Sequence, residues 1–139
     1  MKKEIQWKSI QFLPTMISLI AGDLDNVKEQ YESLLEVKDK PHVLNDQIVD
    51  RIIKLYTEKI NEHWYYEKQI QIWSETNLTE KQKGDIERLN SWIHKIKEIN
   101  ERVLELAKLI SENTIDKILA KDDMELALEV LSGKRKLPL

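Results

Sequence analysis

The chain has 139 residues, 41% of them hydrophobic and 34% charged, with 22 Lys and Arg against 25 Asp and Glu for a formal net charge of −3. That length suits one domain, 1–139, with one core, and so small a charge gives no ground for a polyanionic or polycationic partner. The absence of cysteine excludes disulfides, thiolate metal sites and cysteine nucleophiles, and three glycines and three prolines leave little of the chain for loops.

The first residues are basic, but Gln6, Lys8, Ser9 and Gln11 interrupt any apolar run behind them, which is not the pattern of a secretory signal. No apolar stretch approaches the roughly 20 residues that span a bilayer. The expectation is therefore a cytoplasmic protein with no membrane association. Residues 1–12 read as a peripheral segment whose Ile5, Trp7, Ile10 and Phe12 could cap an open end of a bundle.

From Leu13 the apolar residues fall at Leu13, Ile17, Ile20, Leu24, Val27, Tyr31 and Leu34, alternating steps of four and three. That is a heptad seam, the stripe by which a helix lies along near-parallel neighbours. Pro14 suits the first turn, where its missing N–H costs nothing. The helix should run to about Lys38, since the residue before Pro41 is pushed out of helical geometry. Gly22 weakens it by about 1 kcal/mol relative to Ala, unless it permits close approach of a neighbour.

A second helix starts at Asn45, a side chain able to cap the free N–H groups of the first turn, with Leu44 and Val49 placed as a hydrophobic staple across the cap. Its stripe is Ile52, Ile53, Tyr56, Ile60, His63, Glu67 and Ile70, ending near Trp73–Glu75. Asn77 and Thr79 mark a short turn, which makes the flanking helices antiparallel. The third helix opens with a capping box, Thr79 three residues before Gln82. Its stripe is Ile86, Leu89, Ile93, Ile96, Val103, Ala107 and Ile110, flanked by a second line at Trp92, Ile99 and Leu106. A face that wide suits a helix touching two neighbours. The helix either pauses at Asn113-Thr114 or continues through Ile115, Ile118 and Leu119. Asp122 or Asp123 then caps a short fourth helix from Met124 to about Leu131, stopped by Gly133, and 134–139 form a frayed tail. The fold class is all-α: an up-and-down antiparallel bundle of three long helices plus a short C-terminal one.

Chemistry is sparse. A di-iron carboxylate bundle needs Glu-x-x-His, but Asp39, Ile60 and Ser91 stand three residues before His42, His63 and His94. His-x-x-x-His is missing too, so no metal and no cofactor is expected. His63 and Glu67 form the polar pair centred on an apolar stripe. Four residues apart, they share a helix face, and a carboxylate can orient a histidine as a general base. With Tyr56 they are the candidate catalytic residues, and a cavity should open beside them if they form a site. The blander reading, a satisfied structural hydrogen bond, is the stronger one. Projecting the third helix back across the turn places Asn90 and Ser91 beside His63. Asn100 interrupts a seam, as residues that set register or oligomeric state do. Tyr31, Tyr56 and Tyr66 read as core or core-edge aromatics before they read as pocket walls.

Trp64-Tyr65-Tyr66 cannot all be buried, because consecutive helical residues point about 100° apart. Trp and Tyr anchor binding hot spots, so Trp64, Tyr65, Tyr66, Trp92, Ile99 and Leu106 are the interface candidates. Lys134-Arg135-Lys136 is too short a basic cluster for strong phosphate binding, which disfavours nucleic acid. The chain reads first as a non-enzymatic helical bundle that binds another protein or itself, with a homodimer expected. The alternative is a small-molecule-binding protein or enzyme with its site near His63 and Glu67.

Overall fold

The computed structural model describes residues 6–131, and these form an all-helical bundle. A 3-10 turn, Ile10–Phe12, leads into α1, Leu13–Val37; a second, Pro41–Val43, precedes α2, Asp46–Ser74; α3 is Glu80–Ser111 and α4 is Ile115–Leu131. No helix among the described residues is long and apolar enough to cross a membrane.

Local chemistry sets these boundaries. Asn45 Oδ1 accepts the Ile48 N–H at 2.9 Å and opens α2. Thr79 and Gln82 close a reciprocal capping box at the start of α3, with bonds of 3.1 and 2.9 Å, so two orphan N–H groups are satisfied at once. Gly22 faces open space, with nothing within 4 Å of where a Cβ would stand. It therefore allows no close approach and only costs helix propensity.

The C-terminal helix differs from the sequence expectation. It begins at Ile115 and passes unbroken through Asp122 and Asp123, both exposed. The break is at Asn113-Thr114, where buried Thr114 donates to Asp46 Oδ1 and receives the Lys117 N–H at 3.4 Å. Asp116 Oδ2 in turn accepts the Asp46 N–H at 2.7 Å. Asp116 of α4 thus caps the first turn of α2, the Asp46 carboxylate fixes the Thr114 hydroxyl that caps α4, and Lys117 Nζ adds an ion pair to Asp46 at 3.0 Å. These partners hold the Asp46 carboxyl below its ordinary range, the Thr114 hydrogen bond most of all. Local pattern favoured Asp122 or Asp123 as the cap; a partner about 70 residues away decided for Thr114. Gly133 and the basic tail lie outside the described residues.

α3 is the central helix. It packs along both α1 and α2, whose backbones approach each other far less, which is why its apolar face is wide. The core falls into two clusters. One holds Leu13, Met16, Ile20, Ile70, Trp73, Ile86, Leu89 and Ile93. The other holds Leu24, Val27, Leu34, Val49, Tyr56, Val103, Leu106 and Ile110. Trp92 and Ile96 touch both. On α1, Met16 joins Leu13 as a buried residue of the first turns, while Ile17 is half-buried. The second α3 line is used within the chain: Leu106 is buried, and Trp92 and Ile99 are half-buried against the core. Those three side chains therefore do not form the open apolar surface the sequence suggested, because α3 spends both flanks on its two neighbours.

The segment before α1 is pinned by α2. Gln69, fully buried, accepts the Lys8 N–H at 2.7 Å and donates to the Lys8 carbonyl at 3.3 Å, and Trp73 Nε1 donates to the same carbonyl at 2.9 Å. The clasp lays the Trp7 ring on Tyr65, with centroids 5.1 Å apart and planes at 17°.

Candidate functional site

Between the two apolar clusters lies a polar layer. His63 on α2 and Asn100 on α3 are 6% and 4% exposed, and both line a cavity of about 200 Å³ in the wedge between α1 and α2. Ile20 and Val27 of α1 and Ile93 and Ile96 of α3 form its apolar walls; Asp23, Lys59, Glu62 and Tyr66 complete it.

Glu67 Oε1 is 3.0 Å from His63 Nε2 and 4.0 Å from Lys97 Nζ. That separation from Nε2 is within hydrogen-bond reach, and Glu67 is the ring's polar neighbour on its own helix. Asn100 Oδ1, by contrast, is buried with no hydrogen-bond partner among the described residues. Burial dominates the titration of His63 and pushes its pKa down. The Glu67 carboxylate opposes this, and the Lys97 and His94 charges reinforce it. The imidazole is therefore neutral at neutral pH. Burial also raises the Tyr66 phenol, with Asp23 and Glu62 adding to the effect.

The sequence-derived site is brought together only in part. His63 and Glu67 meet as their spacing implies, though the Glu67 side chain is 43% exposed and sits at the edge of the core rather than in its stripe. Tyr56 does not line the cavity. It is buried in the cluster beyond, with Lys59 Nζ 4.9 Å over its ring. Asn90 and Ser91 are exposed, and His63 faces Ile93, Ile96 and Asn100 instead. The connection after Ser74 overshoots the end of α2, so α3 reaches the core only at Ile86, and its register shifts by more than one turn. Asn100, Asp23 and Glu62 were not foreseen as site residues. Asn100 carried a signal, as a polar residue in an apolar seam; the two acids carried none, being ordinary helix-surface residues by pattern.

Of the aromatic run, Trp64 is 52% exposed, while Tyr65 and Tyr66 are half-buried. Trp7 also meets Trp64 edge-on at 6.4 Å, so the N-terminal segment covers part of this surface within the chain. Among the described residues no group of three or more His, Asp or Glu side chains is placed to hold a metal ion. Comparison of the chain with protein-family models, with curated proteins and with solved structures finds no match.

Proposed function

We propose that the protein binds a small molecule in the cavity around His63 and Asn100. One observation carries this reading: two buried polar residues on facing helices, His63 and Asn100, line one cavity, and Asn100 Oδ1 has no hydrogen-bond partner among the described residues. An unsatisfied buried polar atom costs about 1–3 kcal/mol, and a polar layer of this kind beside a cavity suits a guest that carries polar atoms of its own. Volumes of about 150 Å³ accept a benzene-sized molecule, so this cavity suits a guest of comparable size. A guest that small binds with about −4 to −5.5 kcal/mol, in the millimolar to high-micromolar range. The test is an NMR titration of the full chain with small alkyl amines, alcohols and carboxylates, following the His63 imidazole and Asn100 amide signals. Saturable shifts at both positions are expected. If no compound in the set moves either signal, the cavity holds only water and the reading is wrong.

A second reading, self-association, is favoured by α4. From Leu119 to Leu128 every side chain of this helix is exposed, including Leu119, Met124, Leu126 and Leu128, and so is Leu131. The first turn of α4 is tied to α2 through Thr114, Asp46 and Asp116; the exposed remainder is marginal as a helix alone in water, and a two-fold partner is the commonest cover. Light scattering at micromolar concentration should give twice the mass of one chain, falling to the single-chain mass in Leu128→Lys. A single-chain mass that persists on concentrating would remove the homodimer.

A further inference from the structure

α2 carries a second line of residues beside its core stripe. It opens at Ile48, Ile52 and Leu55 and closes at Gln69 and Trp73, in alternating steps of four and three throughout. That is the spacing of a seam made for a neighbouring helix. The closing end is covered by the chain itself, since Gln69 and Trp73 are buried under the Lys8 clasp. The opening end is left exposed at Ile48 and Leu55, with Ile52 half-buried. α4 has the opposite want. Its half-buried residues, Ile115 and Ile118, mark the face toward its own bundle. Met124, Leu128 and Leu131 lie half a turn round from them. At 67%, 60% and 83%, they are the most exposed of the large hydrophobic residues. They also span two turns, as Ile48, Ile52 and Leu55 do. Both lines are exposed in the same chain, so neither covers the other.

We propose that two copies of the chain exchange α4, each laying Met124, Leu128 and Leu131 antiparallel along Ile48, Ile52 and Leu55 of the other. This rests on the self-association reading, and the experiment separates the two. A second copy is the occupant because one chain carries both uncovered lines, and a single two-fold axis covers all four at once. The area suffices. A helix of 17 residues is about 25 Å long and 10 Å across, so each contact hides about 250 Å² on either side. Exchange makes the contact twice, about 1,000 Å² in all, the least that a specific interface needs. Charge sets the direction. Run antiparallel, the next turn of each helix brings Lys121 to Glu58. Both are exposed, and neither has an oppositely charged side chain within ion-pair distance among the described residues. Lys59, beside Glu58, is drawn away over the Tyr56 ring. Run parallel, Lys121 would lie beyond the start of the α2 line.

The chain has no cysteine, so Glu125→Cys places a nitroxide at one site on α4. Labelled chain is unfolded and refolded with an equal amount of unlabelled, isotopically enriched chain, and light scattering gives the mass. Twice the single-chain mass is expected. The Ile52 and Leu55 amide signals of the enriched chain should broaden, and those of Glu80 and Lys81, at the other end of the bundle, should not. Glu58→Lys should weaken the dimer about tenfold, and adding Lys121→Glu should restore it. A dimer without broadening at Ile52 and Leu55, or one indifferent to Glu58→Lys, overturns the antiparallel exchange and leaves self-association standing. If the mass is that of one chain, the exchange and self-association fall together. Broadening seen only with label and isotope on one chain would then show α4 closing on its own α2.

Discussion

Trp73→Ala is expected to destabilise the protein by about 3–5 kcal/mol, the range for removing a buried tryptophan, and to lower Tm by about 10 °C or more. Trp73 is 1% exposed in the cluster that closes the α1 N-terminal end of the bundle. Its truncation removes more aromatic volume than any other single core change, since it is the largest of the fully buried side chains. It also removes one of the two donors to the Lys8 carbonyl, so the segment carrying Trp7 loses one of the three hydrogen bonds of its clasp. Trp73→Phe separates the contributions. It keeps most of the apolar area and loses the indole N–H, which should cost about 1–2 kcal/mol and loosen Trp7 from Tyr65. Urea denaturation gives the stability, and the assigned Trp7 indole N–H signal in the NMR spectrum reports the Trp7 environment. An alanine variant within about 0.5 kcal/mol of wild type, the range of changes away from packed sites, would mean that this end of the bundle is not closed as described.

That clasp was illegible in the sequence, and the reason is physical. Gln69 and Trp73 meet Lys8 across more than 60 residues, and no local pattern encodes such a meeting. Gln69 even lies beside the apolar stripe, where a polar residue reads as solvent-facing. Features written in a few neighbouring residues were legible: the Asn45 cap, the Thr79–Gln82 box, the α1 seam and the wide face of α3. Each is satisfied by atoms within one or two turns, or by periodicity along a single helix.

Half of the candidate site was legible on the same grounds. His63 stood out because a titratable residue on an apolar stripe needs an explanation, and Glu67 because it lies one turn further on. The role of Asn100 depends on which layer of α2 it faces. Layer register depends on how far the connection after Ser74 overshoots, which composition does not specify. Asp23 and Glu62 matter only because α1 and α2 diverge across α3, a property of three helices together. The C-terminal helix failed for the opposite reason. Asp122-Asp123 is a good local cap signal, overridden by the tertiary capping of Thr114, Asp46 and Asp116.

Replacing both polar members of the middle layer, His63→Leu with Asn100→Leu, is expected to stabilise the protein by about 1–3 kcal/mol while abolishing ligand shifts at the cavity. Removing an unpartnered buried atom recovers its desolvation cost, and the added carbon joins two apolar clusters that the polar layer now separates. The gain stops short of the full desolvation cost at both positions, because His63 gives up the Glu67 carboxylate beside it and leucines on facing helices must share one cavity, which returns some strain. The wild type should also carry a pH signature that the variant lacks. His63 faces Lys59, Glu62 and Glu67 of its own helix, Asp23 of α1, and Lys97 and His94 of α3. Their sum with burial, burial first, leaves its folded pKa below the ordinary 6.5. The unfolded chain then takes up the proton first as pH falls. The stability tied to neutral His63 is thus complete above about 6.5 and drains away below it, toward the folded pKa. Urea midpoints measured from pH 7.5 down to about 5.5 should therefore decline more steeply in the wild type than in the double variant, where position 63 has no proton to bind. Equal slopes would show that His63 is solvated in the native state. A double variant less stable than wild type at pH 7.5 would show that His63 and Asn100 are held by bound water whose removal costs more than the cavity it leaves, and the middle layer would then be a structural network rather than a binding site kept at the expense of stability.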